Sequence, residues 1–408
     1  MDFSLSKASR KHVLFITPVM PSLNGRGPGF RAYQWVCFLI RKYENVTVLC
    51  TSVYGVTQSM PDEFIRHRQI QIFAATREIG SFQRFLNVLT VKPSTYNTVN
   101  SKLENWLNEL EISSPDLILG FKITSYPIVS WLKRRFRNAK TALDIDEVNS
   151  RRVFDIANLM WNNGLYWSSG KLIPEIIGYR VLESSVLHEI DSIYVSTKEE
   201  KVLFEEISAY RPCVIFENRF PKINPKGKRG SLFKFLFVGN SVHYPNRDAI
   251  ERIVDDILPV VKSLTSKKFK ILIIGGEPDR TTSKRAAQCE EIEYLFDAND
   301  LDAIYEQTDA ALIPLRSGSG SSLKVLEALA NKKAVISTPT GVRGFQLKHG
   351  IHCLISDEMG TLASYCAKLI NNKELTTELA MKGHRWFLEN HSYNAVPSQN
   401  HDNRSEFT

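Results

Sequence analysis

Residues 310–330 read AALIPLRSGSGSSLKVLEALA. An apolar, strand-like run ends at Pro314, and a helical pattern follows a turn that contains Gly318 and Gly320. Glycine has no Cβ and therefore permits a tight turn between the two elements. Because a helix N-terminus exposes unpaired N–H groups and the positive end of the helix dipole, the stretch predicts an anion-binding turn.

Charged side chains flank this turn. Arg316 precedes it and Lys324 lies in the first helical turn, so together they could neutralise a diphosphate without a metal ion. Glu327 lies on the same helical face, where a carboxylate can accept hydrogen bonds from ribose hydroxyls. Ser321 or Ser322 is the expected helix cap. The alternative is an ordinary loop before a Lys–Glu helix pair, and composition alone supports both interpretations equally.

Strand-like and helix-like segments alternate on both sides of this stretch. Apolar runs such as His12–Thr17 and Phe233–Gly239 are typical of buried parallel strands. The alternation predicts βαβ units and parallel sheets. It pauses at residues 218–230, which contain two prolines, two glycines and five lysine or arginine residues, a composition typical of a linker.

The length of 408 residues and this pause predict an α/β chain of two Rossmann-like, doubly wound domains. Such sheets bind ligands at the carboxyl ends of their strands, so domains that face each other are expected to form a cleft. The predicted parts are an N-terminal domain of residues 1–217, a linker of residues 218–230, a C-terminal domain of residues 231–390 and a polar tail of residues 391–408.

Composition narrows the classes of partner. The net charge of +8 favours an anionic partner such as a nucleoside diphosphate or lipid headgroups. The dispersed basic residues, without a recognisable motif, argue against nucleic acid. The six cysteines form no CxxC pair and the nine histidines no HExxH pattern, so no metal is expected. No apolar run approaches the roughly 18 residues of a membrane-spanning helix, and the expected location is the cytoplasm.

The densest basic cluster contains aromatic residues as well. Either it is the solvated face of a surface helix, or it contacts an anionic membrane peripherally at the inner face. The cluster consists of Trp131, Lys133, Arg134, Arg135, Phe136, Arg137 and Lys140.

The order of residues in the 310–330 stretch resembles the donor-binding segment of the retaining glycosyltransferases of group 1, which have the GT-B fold. The segments 237–246, 297–310 and 334–344 resemble further parts of the family, and residues 18–31 resemble its glycine-rich loop near the donor phosphate. The matching residues of the donor segment are Pro314, Arg316, Gly318, Gly320, Leu323, Lys324, Leu326, Glu327 and Ala328.

The resemblance implies a nucleoside diphosphate sugar as co-substrate and no cofactor. It assigns Arg316 and Lys324 to stabilising the leaving diphosphate. The residues expected to bind the donor are Gly25, Gly27, Gly29, Asn240, Gly318, Gly320, Ser321, Lys324 and Glu327. The chain departs from the family at Ser319, where many members have a sugar-contacting glutamate, at Ser322, and near Asn240, where basic residues are common.

The first half offers a further candidate in an acidic turn, Asp144–Asn149. Either Asp146 or Glu147 orients the acceptor or sugar, and Asp146, which lies closer to the strand end, is the preferred catalytic residue. The alternative is that an aspartate at the strand end caps the following helix. Trp161, Tyr166 and Trp167 either line an acceptor site or belong to the core or a helix face.

The predicted function is therefore transfer of a sugar from a nucleoside diphosphate sugar to a hydroxyl of a glycan, lipid-linked or small-molecule acceptor. The resemblance implies retention at the anomeric carbon and a place in polysaccharide biosynthesis. Two alternatives stand beside it: a catalytically silent nucleotide-sugar-binding module, and a nucleotide-sugar epimerase of the same fold.

Overall fold

A computed structural model describes most of the chain. The described residues are 12–22, 27–52, 64, 70–76, 81–94, 96, 99, 101–110, 112–208, 213–221, 223, 230, 232–275, 282, 285–286, 288–296 and 301–393.

The chain divides into two compact units. Unit 1 comprises residues 1–154 and 170–216, and unit 2 comprises residues 155–169 and 217–408. Residues 155–169 were predicted to belong to the N-terminal domain, but they pack with unit 2. The polar tail was predicted to begin at residue 391, but His391 and Ser392 are buried and Ser392 forms a β-bridge with Phe220.

Unit 1 is built on a seven-stranded sheet in the order β3-β2-β1-β4-β5-β6-β7. Every pairing is parallel. The strands are β1 (His12–Thr17), β2 (Asn45–Ser52), β3 (Ile70–Thr76), β4 (Leu117–Phe121), β5 (Lys140–Asp146), β6 (Ser192–Val195) and β7 (Val214–Ile215). All residues of β1 and β4 are buried, as continuous apolar runs in parallel sheets predict.

Helices connect these strands. They are α1 (Pro28–Leu39), α2 (Ser81–Leu89), α3 (Ser101–Glu109), α4 (Tyr126–Arg135), α5 (Asn149–Asn162), α6 (Tyr166–Gly170), α7 (Ile173–Glu189) and α8 (Lys198–Ile207). The last part of α5 and nearly all of α6 belong to unit 2.

Unit 2 repeats the arrangement with six parallel strands in the order β10-β9-β8-β11-β12-β13. The strands are β8 (Phe233–Val238), β9 (Phe269–Ile274), β10 (Ile292–Leu295), β11 (Ala310–Ile313), β12 (Ala334–Ser337) and β13 (Leu354–Ile355). The prediction of an α/β chain with two parallel sheets is confirmed.

The described helices of this unit include a short π-helical stretch, Ile253–Ile257, after α9. They are α9 (Tyr244–Arg252), α10 (Leu258–Leu264), α11 (Leu301–Glu306), α12 (Leu323–Ala330), α13 (Met359–Asn371) and α14 (Lys373–Asn390). Within the described ranges, no helix combines the length and the apolarity needed to cross a bilayer.

Strand order places the candidate residues. The sequence of connections reverses between β1 and β4 in unit 1, and between β8 and β11 in unit 2. Open α/β sheets bind ligands outside the carboxyl ends of the strands at such a reversal. The turn before Lys324 follows β11 and Asn240 follows β8, so both lie at the reversal of unit 2.

Two buried glutamates hold the start of α5. Glu183 accepts hydrogen bonds from the backbone N–H of Ser150 at 3.0 Å and from its hydroxyl. Glu200 accepts one from the backbone N–H of Val148 at 2.6 Å. These contacts overturn the alternative that Asp146 caps this helix.

Glu183 makes the stability of the fold depend on pH. Burial raises the pKa of its carboxyl from 4.5 to about 7, against the hydrogen bonds that favour the ionised form. Between these two values the unfolded chain releases a proton that the folded chain retains. The contribution of Glu183 is therefore fully present below pH 4.5 and is lost as the pH rises through about 7.

We expect Glu183→Gln to remove this dependence. The difference between the free energies of unfolding of the variant and the unaltered chain should shift in favour of the variant as the pH rises from about 4.5 to about 7. The shift should total roughly 3 kcal/mol, at about 1.4 kcal/mol per pKa unit. Urea unfolding of both proteins at several pH values measures the difference. Parallel pH profiles for the two proteins would contradict the assignment.

Candidate active site

The turn between β11 and α12 has the predicted form. The strand ends at Ile313 and the helix begins at Leu323. Gly320 has a φ of +63°, in the left-handed region that glycine adopts without a steric penalty. A Cβ on Gly318 would meet only Thr340 Cγ2, at 3.9 Å, so available space does not require glycine at that position.

The serines of the turn leave the helix N-terminus without a side-chain cap. Ser322 occupies the N-cap position, but its side chain accepts no hydrogen bond from the helix. Its hydroxyl is buried and has no partner among the described atoms. Ser321 instead accepts a hydrogen bond from Asn218 Nδ2 at 2.6 Å. The expected serine cap is therefore wrong, and among the described residues no side chain is seen to compete with a ligand for the first N–H groups of α12.

Lys324 is the least satisfied charged group of this turn. Its side chain is half-buried, and within the described part of the chain its ammonium group makes no hydrogen bond or ion pair. Burial lowers the pKa of Lys324, and only the charge of Glu327 opposes that shift. An ammonium group held in this way costs stability unless an anion accompanies it.

Glu327 is buried on the same helix. Its carboxylate accepts a hydrogen bond from the hydroxyl of Tyr305, whose pKa is raised well above its usual value by burial and by the charge of Glu327. This contact fixes the carboxylate. Its predicted hydrogen bonds to ribose hydroxyls remain a prediction.

Arg316 is held by a partner that the sequence analysis missed. Its Nε donates to Asp248 Oδ2 at 2.9 Å and its Nη2 contacts Asp248 Oδ1. Nη2 also donates to Asn163 Oδ1 at 2.8 Å, while Asn163 Nδ2 donates to Asp248 Oδ1 at 2.9 Å. The hydrogen bond to Asp248 is the main cause that raises the pKa of Arg316. Arg316 thus anchors the turn to α9, and only Nη1 lies outside these contacts.

Asn240 lies on the neighbouring loop and is exposed. Its Oδ1 accepts a hydrogen bond from the backbone N–H of Val242 at 2.9 Å, and its carbonyl accepts one from Asn246 Nδ2 at 2.9 Å. A Cβ on Gly275 would lie 2.2 Å from the carbonyl oxygen of Gly239. The backbone is therefore closely packed where Asn240 leaves β8.

The glycine loop of unit 1 is partly described. Gly25 lies outside the described residues. Gly27 has a φ of +58° and is the N-cap of α1. A Cβ on Gly29 would meet the carbonyl oxygen of Met20 at 3.3 Å. The loop therefore enters α1 through a conformation suited to glycine, and a contact with the donor remains a prediction.

A buried ion pair closes the carboxyl end of β5. Arg31 and Asp144 are 1% and 0% exposed, and Arg31 Nε lies 2.8 Å from Asp144 Oδ2. Arg31 Nη2 donates to Asp144 Oδ1 at 3.0 Å, which makes the contact bidentate. Trp35 Nε1 also donates to Asp144. This pair is part of the interior of unit 1.

Asp146 differs from Asp144 in its access to solvent. Its side chain is 15% exposed, and its Oδ2 lies 2.7 Å from Lys122 Nζ. Lys122 also contacts Glu147 Oε1 at 3.1 Å. Burial disfavours the charge on Lys122, but Asp146 and Glu147 outweigh it and raise its pKa.

Both members of this pair are strained. Lys122 has a φ of +62° and Asp146 a φ of +63°, which are unfavourable for residues with a Cβ. Such strain collects at functional sites, and these two residues follow or end the neighbouring strands β4 and β5. Lys122 was not among the predicted site residues, although its position directly after the apolar run Leu117–Phe121 was a usable signal.

Two aromatic groups have opposite environments. Trp131 and Phe136 of the basic cluster pack against the core of unit 1, which favours the interpretation of a solvated helix face. Trp161, Tyr166 and Trp167 are 54%, 56% and 88% exposed. They are therefore not core residues, and an acceptor-binding role for them remains a prediction.

A cavity of 570 Å³ lies at the amino ends of the strands of unit 2, opposite the candidate site. Lys267 and Lys268 precede β9, Asp309 precedes β11, and Lys373 begins α14; all four line the cavity. Its position at the amino ends of the strands separates it from the turn before Lys324. Among the described residues, no group of three or more His, Cys, Asp or Glu side chains could hold a metal ion.

The comparisons with known proteins agree with this arrangement. A model of the family "Glycosyl transferases group 1" matches residues 232–372. Over 253 residues the chain is 28% identical to an uncharacterized 44.6 kDa protein in the cps region of Klebsiella pneumoniae. That match covers 54% of this chain and 64% of the relative, so it spans less than two thirds of the relative's length.

Solved structures are similar over nearly the whole chain. Sucrose-phosphate synthase from Thermosynechococcus elongatus has a TM-score of 0.65 at 12% identity, covering 94% of this chain and 96% of its own. A mutant of S. aureus TarM in complex with fondaparinux, alpha-GlcNAc-glycerol and UDP has a TM-score of 0.63 at 12% identity, with coverages of 93% and 97%. Anabaena Alr3699/HepE in complex with UDP and glucose has a TM-score of 0.60 at 10% identity, with coverages of 94% and 96%.

At these identities the structural similarity concerns the fold, which is the GT-B fold of these neighbours. The family match covers the segment that contains Arg316, Lys324 and Glu327. Residues 232–372 therefore resemble the glycosyl transferases group 1 family.

Proposed function

We propose that the chain transfers a sugar from a nucleoside diphosphate sugar to an acceptor hydroxyl, with retention at the anomeric carbon. The observation that carries the proposal is Lys324, a half-buried ammonium group without an ion pair in the described structure, one residue inside a helix whose N-terminus has no side-chain cap. Lysine and backbone N–H groups together are suited to binding phosphate.

The chemistry follows from where charge develops. As the bond between the anomeric carbon and the diphosphate oxygen breaks, negative charge grows on the leaving diphosphate. Lys324 and the N–H groups of α12 are held in place before the reaction, so they can stabilise that charge without reorganising. Arg316 contributes to donor binding indirectly, because its hydrogen bond to Asp248 holds the turn in place.

Unit 1 supplies the candidate for acceptor positioning. Asp146 lies at the end of a strand, is partly exposed and is strained. We propose that its carboxylate, oriented by Lys122, accepts a hydrogen bond from the acceptor or from the transferred sugar. The relative in a cps region and the solved complexes with UDP support a UDP-sugar donor, a glycan or lipid-linked acceptor, and a role in polysaccharide assembly.

The test is release of nucleoside diphosphate from a panel of nucleoside diphosphate sugars, with and without glycan and lipid-linked acceptors, together with product analysis. Release that depends on an acceptor is the expected result. Tight binding of the donor without release or transfer would instead establish a catalytically silent binding module. Interconversion of the donor sugar without transfer would establish an epimerase.

We also expect transfer to need no metal ion, because Lys324 and the N–H groups of α12 take the role of a cation at the diphosphate. Transfer by the chain after treatment with EDTA should equal that of the untreated chain. A large loss that added Mg²⁺ restores would contradict this part of the proposal.

A further inference from the structure

Helix α2 presents its apolar side to solvent. Phe85, Val88 and Leu89 are 58%, 37% and 62% exposed, and Val91 just beyond the helix is 44% exposed. Asn87, on the inward side, is 2% exposed and donates hydrogen bonds to two backbone carbonyls of the segment that follows. A surface helix of a globular protein normally has the opposite orientation.

Helix α7 also carries an exposed apolar stripe. Ile173, Ile177 and Val181 are 55%, 49% and 49% exposed, and their spacing of four residues places them on one face of the helix. Tyr179 and Leu182, on the other side, are buried.

The two helices are neighbours within unit 1. Glu175 of α7 accepts a hydrogen bond from the backbone N–H of Ser94 at 2.8 Å. A Cβ on Gly178 would lie 2.6 Å from the backbone of Lys92 and Pro93, so the segment after α2 crosses α7 in close contact. The two helices that carry the exposed apolar side chains therefore lie side by side on unit 1.

The charges around these side chains are basic. Residues 81–92 contain Arg84 and Lys92 and no acidic residue. Arg180 is exposed beside Val181. The acidic residues of α7 nearest to the stripe are engaged elsewhere, since Glu175 binds Ser94 and Glu183 is buried at the start of α5.

We propose that this α2–α7 face, formed by Phe85, Val88, Leu89, Val91, Ile173, Ile177 and Val181, docks on an anionic lipid bilayer. Single exposed apolar residues are ordinary, but a group on two contacting helices marks an interaction site. Apolar side chains bordered by arginine suit the boundary between anionic headgroups and acyl chains. A second copy of the chain fits less well, because a two-fold contact would bring the same basic residues together.

The test is co-sedimentation with vesicles of phosphatidylcholine alone and of phosphatidylcholine mixed with phosphatidylglycerol. We expect the unaltered chain to bind the mixed vesicles and the double variant Leu89→Ser, Ile177→Ser to bind them at least about tenfold less, because it buries less apolar area. Leu264→Ser with Met381→Ser is the matched control, since those side chains of unit 2 are 48% and 61% exposed and should not affect binding.

A second pair of substitutions separates the contribution of charge to vesicle binding from that of apolar area. Arg84→Gln with Arg180→Gln should remove most of the preference for phosphatidylglycerol. Equal vesicle binding by the Leu89→Ser, Ile177→Ser variant and by the control variant would overturn the proposal. The proposal would also be overturned if sedimentation velocity showed a dimer of the unaltered chain and a monomer of the Leu89→Ser, Ile177→Ser variant, because a second copy would then cover the face. Release of nucleoside diphosphate in the presence of a water-soluble acceptor should be unchanged in the Leu89→Ser, Ile177→Ser variant. The vesicle test is therefore independent of the proposed transfer reaction.

Discussion

Replacing Lys324 with methionine is expected to lower glycosyl transfer by a factor of about 10² to 10³, as removal of one preorganised donor to a developing anion does. The same substitution should raise the melting temperature of the unliganded chain. Methionine keeps most of the volume of lysine and removes an ammonium group that burial disfavours and that lacks an ion pair in the described structure.

These opposite signs separate a role in binding from a role in folding. If Lys324 stabilised the fold, its loss would lower the melting temperature and the activity together. Lys368→Met on the exposed side of α13 is the matched control, and it should change neither quantity appreciably. Near-normal transfer by the Lys324→Met protein would contradict the role of this lysine at the diphosphate.

Asp144→Asn is expected to lower the stability of the fold, whereas Asp146→Asn is expected to lower activity. Asp144 and Arg31 are almost completely buried, so losing the carboxylate charge leaves the buried guanidinium with the longer contact to Asp146, 3.3 Å from Arg31 Nε, as its remaining ion pair. Breaking a buried pair costs about 3–5 kcal/mol, and Asp146 should offset part of that loss. Urea unfolding with circular dichroism measures this loss.

Asp146→Asn should have the reverse profile. Asparagine tolerates the positive φ at this position, and the side chain is partly exposed, so the fold should survive. If the carboxylate positions the acceptor or sugar, kcat/KM should fall by about tenfold or more, with nucleoside diphosphate affinity unchanged. An Asp146→Asn protein that transfers normally would leave Asp146 only a structural role, as the ion-pair partner of Lys122 and Arg31.

Sequence patterns predicted what depends on local order. The turn from Pro314 to Ser322 combines an apolar strand, a glycine with positive φ and a helix start, and each of these is encoded within a few residues. The buried strands were predictable for the same reason, since continuous apolar runs indicate parallel sheets.

Contacts between distant residues were not predictable. Arg316 binds Asp248, which lies 68 positions away, and no local pattern distinguishes this arginine from a phosphate ligand. Asn163 joins them from a segment that the sequence analysis assigned to the other domain. The outward apolar side of α2 was equally hidden, because an amphipathic pattern does not state which side of the helix faces solvent.

The central claim is that the donor diphosphate binds at the start of α12, and a crystal structure of the chain with bound nucleoside diphosphate tests it most directly. We predict that diphosphate oxygens lie within hydrogen-bond distance of Lys324 Nζ and of the first N–H groups of that helix. A diphosphate that binds elsewhere, such as in the cavity lined by Lys267, Lys268 and Lys373, and leaves Lys324 without contact would contradict the claim.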